Sequence, residues 1–300
     1  MLAAAKPRGE AGSIAERRSA YLSLMRLSES GQVSCEIEDH AAPLGDRAVP
    51  VRIFSPAGTR GRMLPGLVYF HGGGLVAGGL DAYRGLCAAL AEACACRFLA
   101  VGYRLAPEHK FPAAVEDGLA ATRWVIEQAK ELGIDRQRIG IGGDSAGATL
   151  AVATCLSLRQ AKGPPLALQL LLCPVLDADP QTRSRSLLAE GHLIDRDTLR
   201  RDLAHYAGAD FDPADPRVSP LRARSFAGLP RAFIHTAEFD PMRDEGKAYA
   251  EKLAAAGVEA QYACHAGMIH HFYGLASLIP MRGRRSRKSA RKCGRRWPRA

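Results

Sequence analysis

The chain has 300 residues, 47% of them apolar, and a formal net charge of +10. This is enough apolar material for a sizeable core in one or two domains, with no apolar run long enough to span a bilayer as a helix. All of the excess charge lies beyond Met281, where eight Arg and two Lys occur without an acid, so residues 1–281 balance 31 basic against 31 acidic side chains. A neutral body argues against a nucleic-acid-binding fold and confines any polyanion or membrane-surface role to the tail.

The first residues, MLAAAKPRGEAGSIAERR, lack a charged-then-apolar leader, so a cytoplasmic location is expected. The eight cysteines sit mostly inside apolar runs such as LLLC and AVATC and read as small core residues. Cys94 and Cys96 lack the two-residue gap of a zinc or redox pair, so neither a metal site nor a disulfide framework is expected.

In chain order, Ser13 to Glu16 is a capping-box pattern that opens an amphipathic helix reaching about Leu27, with Ile14, Tyr21, Leu24 and Met25 on its inner side and Gly31 beyond its end. Two strands are expected near 33–38 and 49–54, separated by Pro43-Leu-Gly and paired antiparallel at a sheet edge. Leu67 to Phe70 is a buried strand that runs into His71-Gly72-Gly73-Gly74. A glycine triplet lets backbone N–H groups face a ligand that a side chain would block, which suggests an anion-binding loop. His71 stands at the entrance to that loop and reads as structural.

A helix over about 81–93, a strand over 97–103 and a helix opened by Pro112 follow, the last with Val115, Leu119, Ile126 and Ala129 on one face. Next comes RIGIGGDSAG, residues 138–147, running directly into AGATLAVATCLSL. This is strand, tight turn and helix, with Gly143 and Gly147 flanking Ser145 in the G-x-S-x-G spacing of a nucleophile elbow. A dinucleotide fingerprint begun at Gly140 and Gly142 fails because its third glycine falls on Ser145. Gly163-Pro-Pro ends the helix and 166–173 forms another buried strand, so the β and α elements alternate as in a mainly parallel sheet with helices on both faces.

From Asp177 to Leu221 the alternation breaks into short polar and apolar pieces, as expected of an insertion over the carboxyl ends of the strands. It resumes with a strand at 231–237 ending near Glu238 and Asp240, a helix over 245–255, a strand over 258–264, and a loop over 265–272 carrying His270 and His271. Serine, then acid, then histidine, each beyond a strand, is the triad order of α/β-hydrolases.

HGGG at 71–74, YRLAPEHKFPAA at 103–114, GDSAG at 143–147, AEFDPMRDEG at 237–246 and GMIHHF at 267–272 together resemble the hormone-sensitive-lipase-like esterases, bacterial α/β-hydrolases that cleave carboxylic esters. The resemblance runs over roughly residues 10–280 and implies an α/β-hydrolase fold with a helical cap, no cofactor, and short- to medium-chain acyl groups. It implies Ser145 as nucleophile, Asp240 as acid and His270 as base, with the amides of Gly73, Gly74 and Ala146 as an oxyanion hole. His271 stands where the family has glycine after the base. The spacing from Gly267 selects His270, and His271 is then expected to be solvated or in contact with the cap. Glu238, Asp244 and Asp177 compete with Asp240. Asp244 reads as a loop brace, Asp177 as part of the cap entrance, and Asp144 as a brace of the elbow.

The expected organisation is an N-terminal cap segment (1–30), a first core part (31–176), a cap insertion (177–221), a second core part (222–280) and a basic tail (281–300). The tail is either a functional basic segment or a frame-shifted end that replaces a closing helix. The partner expected is a small-molecule ester. Family members are often dimers, so a homodimer is a further expectation, without an interface legible in the sequence. Two other readings of the same fold are a non-catalytic small-molecule receptor and an amide or formamide hydrolase. The receptor reading suits a site that lacks a triad member, and all three are present.

Overall fold

The computed structural model describes residues 13–27, 35–208 and 211–275. Eight strands form a single sheet in the order β1-β2-β4-β3-β5-β6-β7-β8. The strands are β1 (Cys35–Leu44), β2 (Arg47–Pro56), β3 (Leu64–Phe70), β4 (Arg97–Val101), β5 (Ile134–Asp144), β6 (Gln169–Leu172), β7 (Ala232–Phe239) and β8 (Ala260–Ile269). β1 and β2 form the antiparallel edge, β2 joins β4 antiparallel, and every pairing from β4 through β3 and β5 to β8 is parallel.

The helices are α1 (Ile14–Leu27), α2 (Arg84–Cys94), α3 (Ala113–Glu127), α4 (Ala146–Gln160), α5 (Arg183–Leu187), α6 (Arg196–Tyr206) and α7 (Arg243–Ala255). β3 shows why they cover both faces of the sheet. Its seven residues are all buried, and alternate side chains point oppositely, so Leu67 and Tyr69 join one apolar cluster while Val68 and Phe70 join the other. The first cluster is closed by Met25 of α1 and by Leu86, Cys87 and Ala91 of α2. The second is closed by Val115 and Val125 of α3, Leu150 and Cys155 of α4, and Tyr249 and Leu253 of α7.

α1 begins with the capping box read from its sequence. The Ser13 amide donates to Glu16 Oε2 at 2.6 Å and the Glu16 amide donates to Ser13 Oγ at 3.3 Å. Between β6 and β7 the chain forms α5, α6 and a 3₁₀ turn at Pro220–Arg222, the irregular stretch expected there. Asp195 caps α6 by accepting the Thr198 amide at 2.8 Å.

Two boundaries differ from expectation. The β1–β2 hairpin turns at Gly45-Asp46 rather than at Pro43-Leu-Gly, since Pro43 remains paired with Ala48 on the outermost strand, where a missing N–H costs no ladder bond. β8 does not stop at Cys264. A register shift between Ala237 and Phe239 lets it continue to Ile269, so most of the expected 265–272 loop is strand and His270 stands directly at its end. The basic tail, Gly31 and the first residues of the N-terminal segment lie outside the described residues. Among the described residues no helix is long and apolar enough to cross a membrane.

Candidate active site

β5 ends at Asp144 and α4 starts at Ala146, leaving Ser145 as the whole connection. Its backbone sits at φ +52° and ψ −123°, a conformation that non-glycine residues adopt only where their surroundings enforce it. The enforcement comes from both neighbours. The Ser145 amide donates to Leu172 O at 2.9 Å, and its carbonyl accepts the Val175 amide at 3.1 Å. The flanking glycines are required by space: a Cβ on Gly143 would overlap the backbone of Gly147, and a Cβ on Gly147 would overlap the carbonyls of Phe70 and His71.

That second overlap also shows how closely the elbow and the glycine loop approach. β3 and β5 are neighbours with Phe70 opposite Gly143, so the HGGG segment leaves β3 beside the point where Ser145 leaves β5. Gly73 and Gly74 take positive φ, and their amides make no hydrogen bond among the described residues. Ala146 is the first residue of α4, where backbone N–H groups have no partner within the helix and carry the positive end of its dipole. The glycine loop and the start of α4 thus carry main-chain donors on the two segments that adjoin the elbow.

His270 Nε2 stands 3.2 Å from Ser145 Oγ, and its Nδ1 stands 2.9 Å from Asp240 Oδ2. Asp240 follows β7 and is fully buried, with its other oxygen accepting the Met242 amide at 2.9 Å. Burial alone would raise the Asp240 carboxyl, but the adjacent His270 charge and hydrogen bond, with the Met242 amide and the Cys173 thiol, bring it below its ordinary value. The Cys173 thiol is itself pushed up by burial and by Asp240, so it stays protonated and can donate. Cys173, Asp240 and His270 offer donor atoms within 4.8 Å of one another.

The other candidates are engaged elsewhere. His71 is buried with its ring stacked on Tyr103 at 4.3 Å, and Tyr103 Oη donates to His71 O at 2.6 Å. Burial lowers the His71 imidazole to about 4, so it is neutral. His271 is not solvated, which was one of the two alternatives expected for it. It is 3% exposed, turned at φ +63° and packed against Tyr273, with its imidazole lowered to about 3 by burial and by the neighbouring His270. Glu238 accepts the Gly267 amide at 2.7 Å, Asp244 accepts the Ser184 amide at 2.8 Å, and Asp177 pairs with Arg222 at 2.9 Å.

Asp144 does more than brace the elbow. Its fully buried carboxylate accepts Tyr69 Oη at 2.9 Å and the Gly72 amide at 3.0 Å on one oxygen, and Tyr83 Oη at 2.8 Å and Tyr273 Oη at 2.9 Å on the other. Tyr83 Oη in turn meets Tyr21 Oη of α1 at 2.5 Å. One side chain therefore ties the elbow to β3, to the glycine loop, to the segment before α2 and to the segment after His270. A second buried acid, Glu245, accepts the Leu176 and Asp177 amides at 2.7 and 3.0 Å and pairs with Arg185 at 2.7 Å, which anchors the start of the 177–221 segment. Sequence reading missed this residue, although it falls inside the AEFDPMRDEG block.

Residues 67–274 match the model of a family described by the alpha/beta hydrolase fold. Carboxylesterase NlhH of Mycobacterium tuberculosis is 41% identical over 236 residues, 77% of this chain and 73% of that protein. An ethyl acetate hydrolase of Pseudomonas putida is 40% identical over 234 residues, again 77% and 73%. Among solved structures, an ester hydrolase from the metagenome of Lake Arreo, determined with a bipyridine phosphonate derivative, superposes with a TM-score of 0.89 at 34% identity, covering 98% of this chain and 94% of that one. The chain belongs to the α/β-hydrolase family, in its hormone-sensitive-lipase-like branch of esterases.

Proposed function

We propose that this protein is a serine carboxylesterase acting on short- to medium-chain esters, with Ser145 as nucleophile, His270 as base and Asp240 as orienting acid. The observation that carries the reading is the buried relay from Ser145 Oγ through His270 to Asp240, at 3.2 and 2.9 Å. A serine hydroxyl is a weak nucleophile unless a base removes its proton during attack. His270 Nε2 accepts that proton as Oγ bonds to the ester carbonyl carbon. Asp240, held ionised, keeps the Nδ1 proton in place and stabilises the imidazolium without taking a proton.

The carbonyl oxygen gains the negative charge, which the amides of Gly73, Gly74 and Ala146 meet with fixed dipoles in a dry site. On collapse of the tetrahedral species the C–O bond to the alcohol breaks, and His270 protonates the departing oxygen. Water then attacks the acyl group on Ser145, losing its proton to His270, and the acid leaves as Oγ regains a hydrogen. Segment 177–221, with α1, is read as the cap that bounds the acyl pocket. Names among the relatives, such as carboxylesterase and ethyl acetate hydrolase, support the substrate class.

The test is a series of p-nitrophenyl esters of rising acyl length beside matched p-nitroanilides, run on the wild type and on Ser145→Ala. The expected result is turnover of the shorter esters, with the variant inactive and refractory to a serine-directed phosphonate. Retained ester turnover by Ser145→Ala, or faster turnover of the anilides, would overturn the reading.

A further inference from the structure

The side chain of Asp202, on α6, occupies the place a Cβ would take on Gly74: an added Cβ there would overlap its carboxylate oxygen, Cγ and Cβ. A carboxylate therefore touches the backbone of one of the two loop glycines assigned above to the oxyanion hole. It is withdrawn from water, with its side chain 5% exposed. An unscreened negative charge at that point would oppose the negative charge that develops on the carbonyl oxygen, because low-dielectric surroundings do little to weaken like-charge repulsion.

Arg17, on α1, answers that charge. Its Nε and Nη2 meet Asp202 Oδ1 and Oδ2 at 3.2 and 2.7 Å, a two-point pairing that holds both carboxylate oxygens. The helix carrying Arg17 is fixed to the same loop by its neighbours. Arg18 donates to Val76 O at 2.8 Å and to Ala106 O at 3.0 Å, and Tyr21 reaches Tyr83 at 2.5 Å. The guanidinium carbon of Arg17 lies 5.3 Å from the centroid of the Tyr21 ring. Two separate pieces of chain, α1 and α6, thus meet in one ion pair laid against Gly74.

We propose that Arg17 is a positioning residue for ester hydrolysis that acts through Asp202, cancelling a buried negative charge against Gly74 so that the oxyanion hole receives the tetrahedral oxyanion unopposed. The proposal rests on the serine-esterase reading. It requires that losing Arg17 damage the transition state more than the bound ester, and that removing the Asp202 charge undo the damage.

The experiment compares wild type, Arg17→Ala, Arg17→Lys and the double variant Arg17→Ala with Asp202→Asn. The readouts are kcat and KM for p-nitrophenyl acetate and the inhibition constant of a trifluoromethyl ketone, whose adduct with a serine is an oxyanion. In Arg17→Ala, kcat should fall by about tenfold or more and the ketone should weaken in proportion, while KM moves less than about twofold. Adding Asp202→Asn, or restoring a cation as Lys, should recover most of both losses. The proposal is overturned if the double variant is no better than Arg17→Ala, if the loss lies in KM alone, or if Arg17→Ala behaves as wild type. Should Arg17→Ala not fold, failure of Arg17→Lys to hold kcat within about tenfold of wild type overturns it as well. A wild type that hydrolyses no ester and does not bind the ketone instead brings down the serine-esterase reading beneath it.

Discussion

Replacing Asp144 separates a structural carboxylate from a mere loop residue. In Asp144→Ala the four hydrogen bonds it accepts are all lost, but they are not equally costly. The Gly72 amide keeps Tyr83 Oη at 2.9 Å, but Tyr83 and Tyr21 share one hydrogen bond between two hydroxyl protons, so one of that pair also loses its acceptor. Tyr69 and Tyr273 are left as buried hydroxyls with their acceptor gone. At about 1–3 kcal/mol for each of three stranded donors, the expected loss is about 3–9 kcal/mol, a large part of a domain's stability. Asp144→Asn keeps an acceptor for Tyr69 and the Gly72 amide, loses one for the Tyr83 and Tyr273 pair, and removes a carboxylate that burial already disfavours. Tyr273 and one hydroxyl of the Tyr83–Tyr21 pair are then stranded, two donors, or about 2–6 kcal/mol. Urea unfolding of both variants measures the difference, and p-nitrophenyl acetate kinetics reports whether the glycine loop stays in place. Equal midpoints for the two variants, with unchanged slopes, would refute the reasoning that the tyrosine hydroxyls depend on this acceptor.

Three further outcomes are expected. His270→Asn should lower kcat by at least about 10³-fold while His271→Asn stays within about tenfold of wild type, measured on one short ester; the reverse ranking would move the base by one residue. Asp240→Asn should lower kcat by about 10⁴-fold near neutral pH through loss of the correct imidazole tautomer, with its fold intact by circular dichroism. His71, lowered by burial to about 4, binds its proton in the unfolded chain before it does so in the folded one, so it contributes stability above pH 6.5 that drains away as pH falls toward about 4. Over that window the stability of His71→Gln should fall less steeply than that of wild type, by up to about 1.4 kcal/mol per pH unit; parallel slopes in urea titrations would show that His71 already protonates in the folded protein.

The sheet was readable because its strands and helices obey local rules. LVYF and the run from Ile139 to Ile141 are apolar on both faces as parallel strands must be, and glycine or proline punctuates the helices that follow. The elbow was readable for a related reason: Gly143, Ser145 and Gly147 meet one another within five residues, so the steric demand is written locally. Where the reading strayed, the deciding partner was remote. β8 outruns its apolar stretch because Phe239, on another strand and past a register shift, pairs with Ile269, and nothing in HAGMI announces that partner.

The same distinction explains which parts of the candidate site escaped notice. Asp144 was expected to brace the elbow, yet its four donors come from positions 69, 72, 83 and 273, and no spacing rule links a tyrosine before α2 to one near the end of the fold. His271 was expected to be solvated or in contact with the cap because a histidine beside the base has no apolar pattern around it. Its burial follows from Tyr273 being drawn inward to Asp144, which takes the whole turn with it. Arg17 and Asp202, 185 residues apart, were not singled out in the sequence, one lying on the expected amphipathic helix and the other in the irregular 177–221 stretch. Local geometry thus places the nucleophile, while groups gathered from across the chain decide what electrostatic surroundings it works in.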